Sequence, residues 1–222
     1  MDKNTKAIEL MKENKYEEAA AIFNEVIQEQ PNDPLGYINF GNLLLHVKDP
    51  ERAQRFFDKA IELDEKSATA YYGLGNLYFE QAEYKKAQVN FQQAIELGLE
   101  EADVYFMMGM TFQHQEHHKL ALPYFLRATE LKQDDVEMNF QYGLALAQSN
   151  LISDAKKVFE DVLSKDEKHS DAHYNLGVIA IYNEQAESAL HHFNQALEIQ
   201  PDHVLAANGK SQLEQLMEEK DT

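Results

Sequence analysis

Apolar and small side chains recur along this chain with a period of 34 residues, far longer than the rhythm of a single strand or helix. Counting in that step from Ala7 gives Gly41, Gly75, Gly109, Gly143 and Gly177, so five of the nine glycines share one register. Twelve residues beyond these six positions stand Ala19, Ala53, Ala87, Ala121, Ala155 and Ala189; four further on come Phe23, Phe57, Phe91, Phe125, Phe159 and Phe193. Within each period the apolar residues fall at helical spacing, which predicts helix A around the glycine and helix B around the alanine. A glycine inside a helix costs about 1 kcal/mol relative to alanine, so five in one register imply a close approach that needs them. Small residues on both helices permit it, and the phenylalanine, one turn along helix B from the alanine, fills the gap. Tyr37, Phe40, Tyr71 and Leu74 extend the apolar stripe of helix A.

Punctuation falls where two helices per period require it. Asn14, Lys48-Asp49-Pro50, Ala82-Glu83, Glu116-His117, Asn150 and Glu184-Gln185 separate A from B. Pro31, Pro34 and Pro201 mark breaks between periods, and Gly98 is placed as a helix C-terminal cap. The junctions near Glu65, Gln133 and Glu167 have no proline. Pro123, a few residues inside the fourth helix B, predicts a small bend.

The period, with its Gly, Ala and Phe, resembles that of tetratricopeptide repeats from the first residues to about His203. The resemblance implies an all-α fold, a right-handed superhelical solenoid of antiparallel helix pairs, here as one domain over 1–222. Its repeats are 1–33, 34–67, 68–101, 102–135, 136–169 and 170–203. Residues 204–219, with Val204, Leu213, Leu216 and Met217 among Gln and Glu, predict a capping helix over the last repeat, so a self-contained array is expected.

Composition narrows the function. The chain has 39 acidic and 20 basic residues, a formal charge of -19, which disfavours nucleic acid and anionic membranes and favours basic or apolar partners. It contains no cysteine, which excludes disulfides, thiolate nucleophiles and thiolate metal sites. No signal-like or membrane-length apolar stretch occurs, so a cytoplasmic, unprocessed protein is expected. The histidines at 114, 117 and 118 straddle a turn, and neither they nor the pair His169 and His173 make a four-ligand zinc set; His191 and His192 read as surface. Nucleophile elbows, phosphate loops and HExxH are absent. The expectation is a non-enzyme with no cofactor and no metal.

In the family helix A lines a concave groove, and the resemblance places the groove residues three before, two before and one after the glycine, with others one turn on. These registers hold Asn39, Asn42, His46, Tyr72, Asn76, Phe79, Glu80, Phe106, Met107, Met110, Phe140, Gln141, Leu144, Tyr174, Asn175 and Val178. The N-terminal members offer amides suited to an extended backbone; Phe106, Met107, Met110, Phe140 and Leu144 form an apolar stretch in which methionine adapts its shape. The aromatics three before the glycine also suit packing between helices. The family's clamp for a C-terminal carboxylate needs lysines and an arginine at set registers. Those registers read Ile38, Asn42, Gly73, Asp103 and Met107, or Asn4, Ile8, Asn39, Thr69 and Gly73, without a cation, so a clamp ligand is disfavoured. The expected function is a scaffold binding a peptide or helical segment of a partner protein, apolar or basic. The alternatives are a self-assembling repeat protein and a helical-repeat RNA binder. The named groove registers carry no Lys or Arg, which opposes the RNA reading.

Overall fold

The computed structural model describes residues 2–220, and among these there are thirteen helices and no strand. The chain divides into two compact units, residues 1–116 and 117–222. The first holds α1 (Lys3–Lys12), α2 (Tyr16–Glu29), α3 (Pro34–His46), α4 (Pro50–Leu63), α5 (Ala68–Glu80), α6 (Tyr84–Glu96) and α7 (Ala102–Gln113). The second holds α8 (His118–Leu131), α9 (Val136–Gln148), α10 (Ile152–Lys165), α11 (Ser170–Tyr182), α12 (Ala186–Ile199) and α13 (Val204–Lys220).

Each A-to-B turn passes through one residue in the left-handed region: Asn14, Lys48, Ala82, Glu116, Asn150 and Glu184, with φ between 57° and 65°. The turn at Ala82 shows how this ends a helix. Glu83 N donates to Tyr78 O at 2.8 Å and Ala82 N to Phe79 O at 2.9 Å, so the last carbonyls of α5 are satisfied by backbone alone. Gly98, at φ 94°, closes α6 in the same way, with Leu99 N donating to Ala94 O at 3.0 Å. Some helix starts use side chains. Asp33, Asp49 and Asp135 accept from the amides of Leu35, Arg52 and Met138, and His169 Nδ1 accepts from Ala172 N. Asp135 and His169 therefore mark junctions where the sequence has no proline. Pro123 is the sixth residue of α8, which continues through it to Leu131.

The periodic phenylalanines are fully buried, and glycines are the slots that admit Phe57, Phe91, Phe159 and Phe193. A Cβ on Gly75 would come within 2.4 Å of the Phe91 ring, and one on Gly143 within 2.7 Å of Phe159. Phe57 is held from two sides: a Cβ on Gly41 would lie 2.7 Å from it and one on Gly73 2.3 Å. Gly73 thus packs between neighbouring repeats and does not face the groove. Gly209 on α13 stands in the same register as Gly73, whole periods later, and meets Phe193 at 2.9 Å opposite Gly177 at 2.6 Å.

α13 packs on α12, and of the four expected capping residues Leu213 and Met217 make the contact. Ala206 and Leu213 are buried and Met217 packs beside them, whereas Val204 and Leu216 are exposed. The helix follows the A-helix register: Ala206 is one period beyond Ala172, and His203 Nδ1 caps it through Ala206 N as His169 caps α11. At the registers of Leu176, Gly177 and Ala180 it carries Lys210, Ser211 and Glu214, with Lys210 and Glu214 paired at 3.7 Å. Those positions are polar where a seventh helix B would need an apolar face.

Two stability outcomes follow from these contacts. Gly75→Ala must displace the Phe91 ring and is expected to cost about 1–3 kcal/mol in urea unfolding, with Gly75→Ala/Phe91→Leu costing less than the sum of the single changes. Ala82→Gly removes a Cβ from the left-handed region at an exposed turn and should stabilise by roughly 1 kcal/mol in the same assay.

Candidate functional site

In the first unit α1, α3, α5 and α7 contact one another in that order, so the A helices form a continuous wall. Two clefts run along it. One, of about 380 Å³, is lined by Ile8, Met11, Lys12, Asn39, Asn42 and His46. The other, of about 340 Å³, is lined by Asn42, Leu45, His46, Asn76, Phe79, Glu80 and Met107. Sharing Asn42 and His46, they make one groove across three helix steps.

Seven residues expected in a groove, Asn39, Asn42, His46, Asn76, Phe79, Glu80 and Met107, line these clefts. Asn42 is exposed, and Asn39 donates to Asn4 Oδ1 at 3.1 Å. Tyr72 packs on Phe91 at 5.9 Å; burial pushes its phenol above the ordinary value, and a hydrogen bond with Asn76 partly offsets this. It is an uncharged group at neutral pH. Phe106 and Met110 on α7 are half-buried.

Four lining residues were not expected: Ile8, Met11, Lys12 and Leu45. Lys12 corrects the expectation of a groove without cations. Its register was legible, since Lys12, His46, Glu80 and His114 stand one period apart. Lys12 forms no ion pair among the described residues, while Glu80 meets Lys48 at 3.0 Å across an exposed surface. The groove therefore carries positive charge at its α1 end and negative charge at α5.

Aromatic pairs hold the rim. Tyr16 lies 5.0 Å from the His46 ring with its hydroxyl 2.8 Å from Nε2, and Tyr84 stacks on His114 at 5.2 Å with Phe79 at 5.2 Å from the same imidazole. The two Tyr–His pairs are two periods apart in sequence.

In the second unit the expected residues divide. Phe140 is 7% exposed and packs on Phe159 at 5.7 Å and His169 at 4.4 Å, so it belongs to the core and not to a free surface. Tyr174 packs on Phe193 at 6.0 Å. Gln141 donates to Glu137 at 2.8 Å and Asn175 to the Asp171 carbonyl at 2.7 Å. Leu144 is half-buried; Val178 is exposed, as are Ile181 and Tyr182 on the same helix.

His192 is half-buried, contrary to its reading as surface, with Nδ1 3.2 Å from His173 Nδ1. Burial pulls the His192 imidazole down to about 4, with the neighbouring His173, His191 and Lys156 adding to the effect. Burial also lowers His173, against a hydrogen bond with the Glu167 carbonyl. One ring can donate to the other only while the pair holds a single Nδ1 proton. Among the described residues no group of three or more His, Asp or Glu could hold a metal ion, and no helix is long and apolar enough to cross a membrane.

This is the architecture of a helix-pair repeat scaffold. The tetratricopeptide repeat pattern matches residues 35–100, 68–134 and 170–203, and the chain belongs to the tetratricopeptide repeat family. Among solved structures it is similar to YrrB, described as a TPR protein with an unusual peptide-binding site. The two are 44% identical over 85% of this chain and 97% of that one, with a TM-score of 0.79. MamA is 26% identical over 77% of this chain and 98% of its own, with a TM-score of 0.63. PilF of Pseudomonas aeruginosa shares the fold at 14% identity, over 95% and 96% of the two chains, with a TM-score of 0.82. A comparison with curated proteins finds no match. The chain is a protein-interaction scaffold of the all-α tetratricopeptide class.

The histidine pair sets a pH dependence. A group whose folded pKa is lowered is protonated first in the unfolded chain, so its stabilisation is complete above about 6.5 and is lost as pH falls toward 4. Urea midpoints should drop from pH 7 to pH 5, and His192→Gln should shrink that drop. An unchanged drop in the variant would contradict the assignment.

Proposed function

We propose that the protein binds a peptide or short segment of a partner protein in the first-unit groove. The observation that carries this reading is the convergence of Asn39, Asn42, His46, Asn76, Phe79, Glu80 and Met107 on two joined clefts. Asparagine amides both donate and accept, which suits a peptide backbone, and Leu45, Phe79 and Met107 supply apolar contact. The likeness to YrrB, whose description names a peptide-binding site, supports the reading.

The partner is apolar or basic, in keeping with the charge of -19, and is neither nucleic acid nor membrane. A C-terminal carboxylate is not the recognition element: Lys12 is one cation where the family's clamp uses several. Phe106 and Met110 extend the groove's apolar side, and Gln141, Leu144, Tyr174, Asn175 and Val178 offer a second contact surface. The six repeats act as one functional domain, in the cytoplasm.

Selection from a random peptide library tests this. Enriched peptides should bind the wild type and lose at least ten-fold in affinity to Met107→Glu, with the circular dichroism melt of the variant largely retained. Undiminished binding by a folded variant would remove the groove as the site.

A further inference from the structure

The first-unit groove repeats itself once per A helix, and this spacing constrains what lies along it. Asn42 on α3 and Asn76 on α5 occupy one register, as do His46 and Glu80 one turn on. Neighbouring packed helices lie about 8–10 Å apart, so equivalent groups recur along the groove at about that interval.

Few peptide conformations share that repeat. A β-strand returns a side chain to one face every two residues, about 6.6 Å, and again at about 13 Å, and neither value fits. An α-helix returns near the interval at its seventh residue, about 10.5 Å, but its backbone groups are already bonded internally and offer the asparagines nothing. Polyproline II repeats every three residues, about 9.3 Å, and leaves its backbone free of internal hydrogen bonds. Asn42 and Asn76, one per helix step, can then meet successive turns of one ligand backbone.

The clefts add side-chain preferences. Ile8 and Met11 floor the first; Leu45, Phe79 and Met107 line the second. An apolar residue in each, three apart in the ligand, spans the step. Lys12 repels a basic residue at the first cleft. Glu80 attracts one at the second, because its pairing with the exposed Lys48 is of a kind worth little and readily exchanged.

Resting on the groove reading above, we propose that the first unit selects a polyproline II segment with apolar side chains three residues apart and a basic residue at the Glu80 end. The test uses acetylated, amidated peptides, which carry no terminal charge, titrated by fluorescence anisotropy against the whole chain. One is proline-rich with two leucines three apart and an arginine after the second. A second places the leucines two apart on a threonine background, and a third replaces the arginine with glutamate.

The first peptide should bind at least ten-fold more tightly than either control, and Glu80→Gln should erase its advantage over the glutamate peptide. Equal or tighter binding of the threonine peptide overturns the conformational inference. If Met107→Glu still weakens that peptide, the groove reading stands without it; if Met107→Glu has no effect, both fall. Failure of all three peptides to bind at millimolar concentration also overturns the inference.

Discussion

A phenylalanine ring seated in a glycine slot is the contact on which the stacking of these repeats depends, at Phe57, Phe91, Phe159 and Phe193. Phe57, with no exposed surface, occupies space that a methyl group on Gly41 or Gly73 would claim. Burying such a ring contributes about 1.5–3 kcal/mol, more than the roughly 1 kcal/mol that a helical glycine costs. The exchange is favourable only where ring and slot coincide. Gly41 joins the ring to the helix of its own repeat and Gly73 to that of the next, so one side chain fixes the helix pair and its stacking together. Gly177 and Gly209 treat Phe193 likewise, which is why α13, with no helix B of its own, still docks on α12.

That packing decides where function can vary. The position on helix A that meets the phenylalanine of its own repeat holds only glycine or alanine, and the position directly after it varies freely. Ile8, Asn42 and Asn76 lie at that freer position, directly after the small residue of the repeat, and each lines a cleft. The constraint that makes the repeats alike also presents their differences on one wall. Backbone-only turns at residues such as Lys48 and Ala82 keep the connections short, so the A helices stay adjacent.

The period made most of the fold legible. Lys48, Ala82 and Glu184 have no chemical preference for a left-handed backbone, yet they were located as turns because Asn14 and Asn150 share their register. What the period could not supply was the direction of a side chain. Gly73 stands in a groove register but faces Phe57, and Phe140 stands among groove aromatics but is covered by Phe159 and His169. Lys12 escaped because the first repeat has Ala7 in place of the glycine, which drew the register count to the second helix A. The contact of His173 with His192 joins residues on separate helices, α11 and α12, and depends on rotamers that spacing does not encode.

The side-chain amide resonances of Asn42 and Asn76 test the central claim most directly. On titration with a peptide selected by the wild-type chain, both carboxamide signals should shift saturably, at the same midpoint as the bulk binding curve. Saturable binding that leaves both signals in place, with shifts confined to the B helices, would contradict the account.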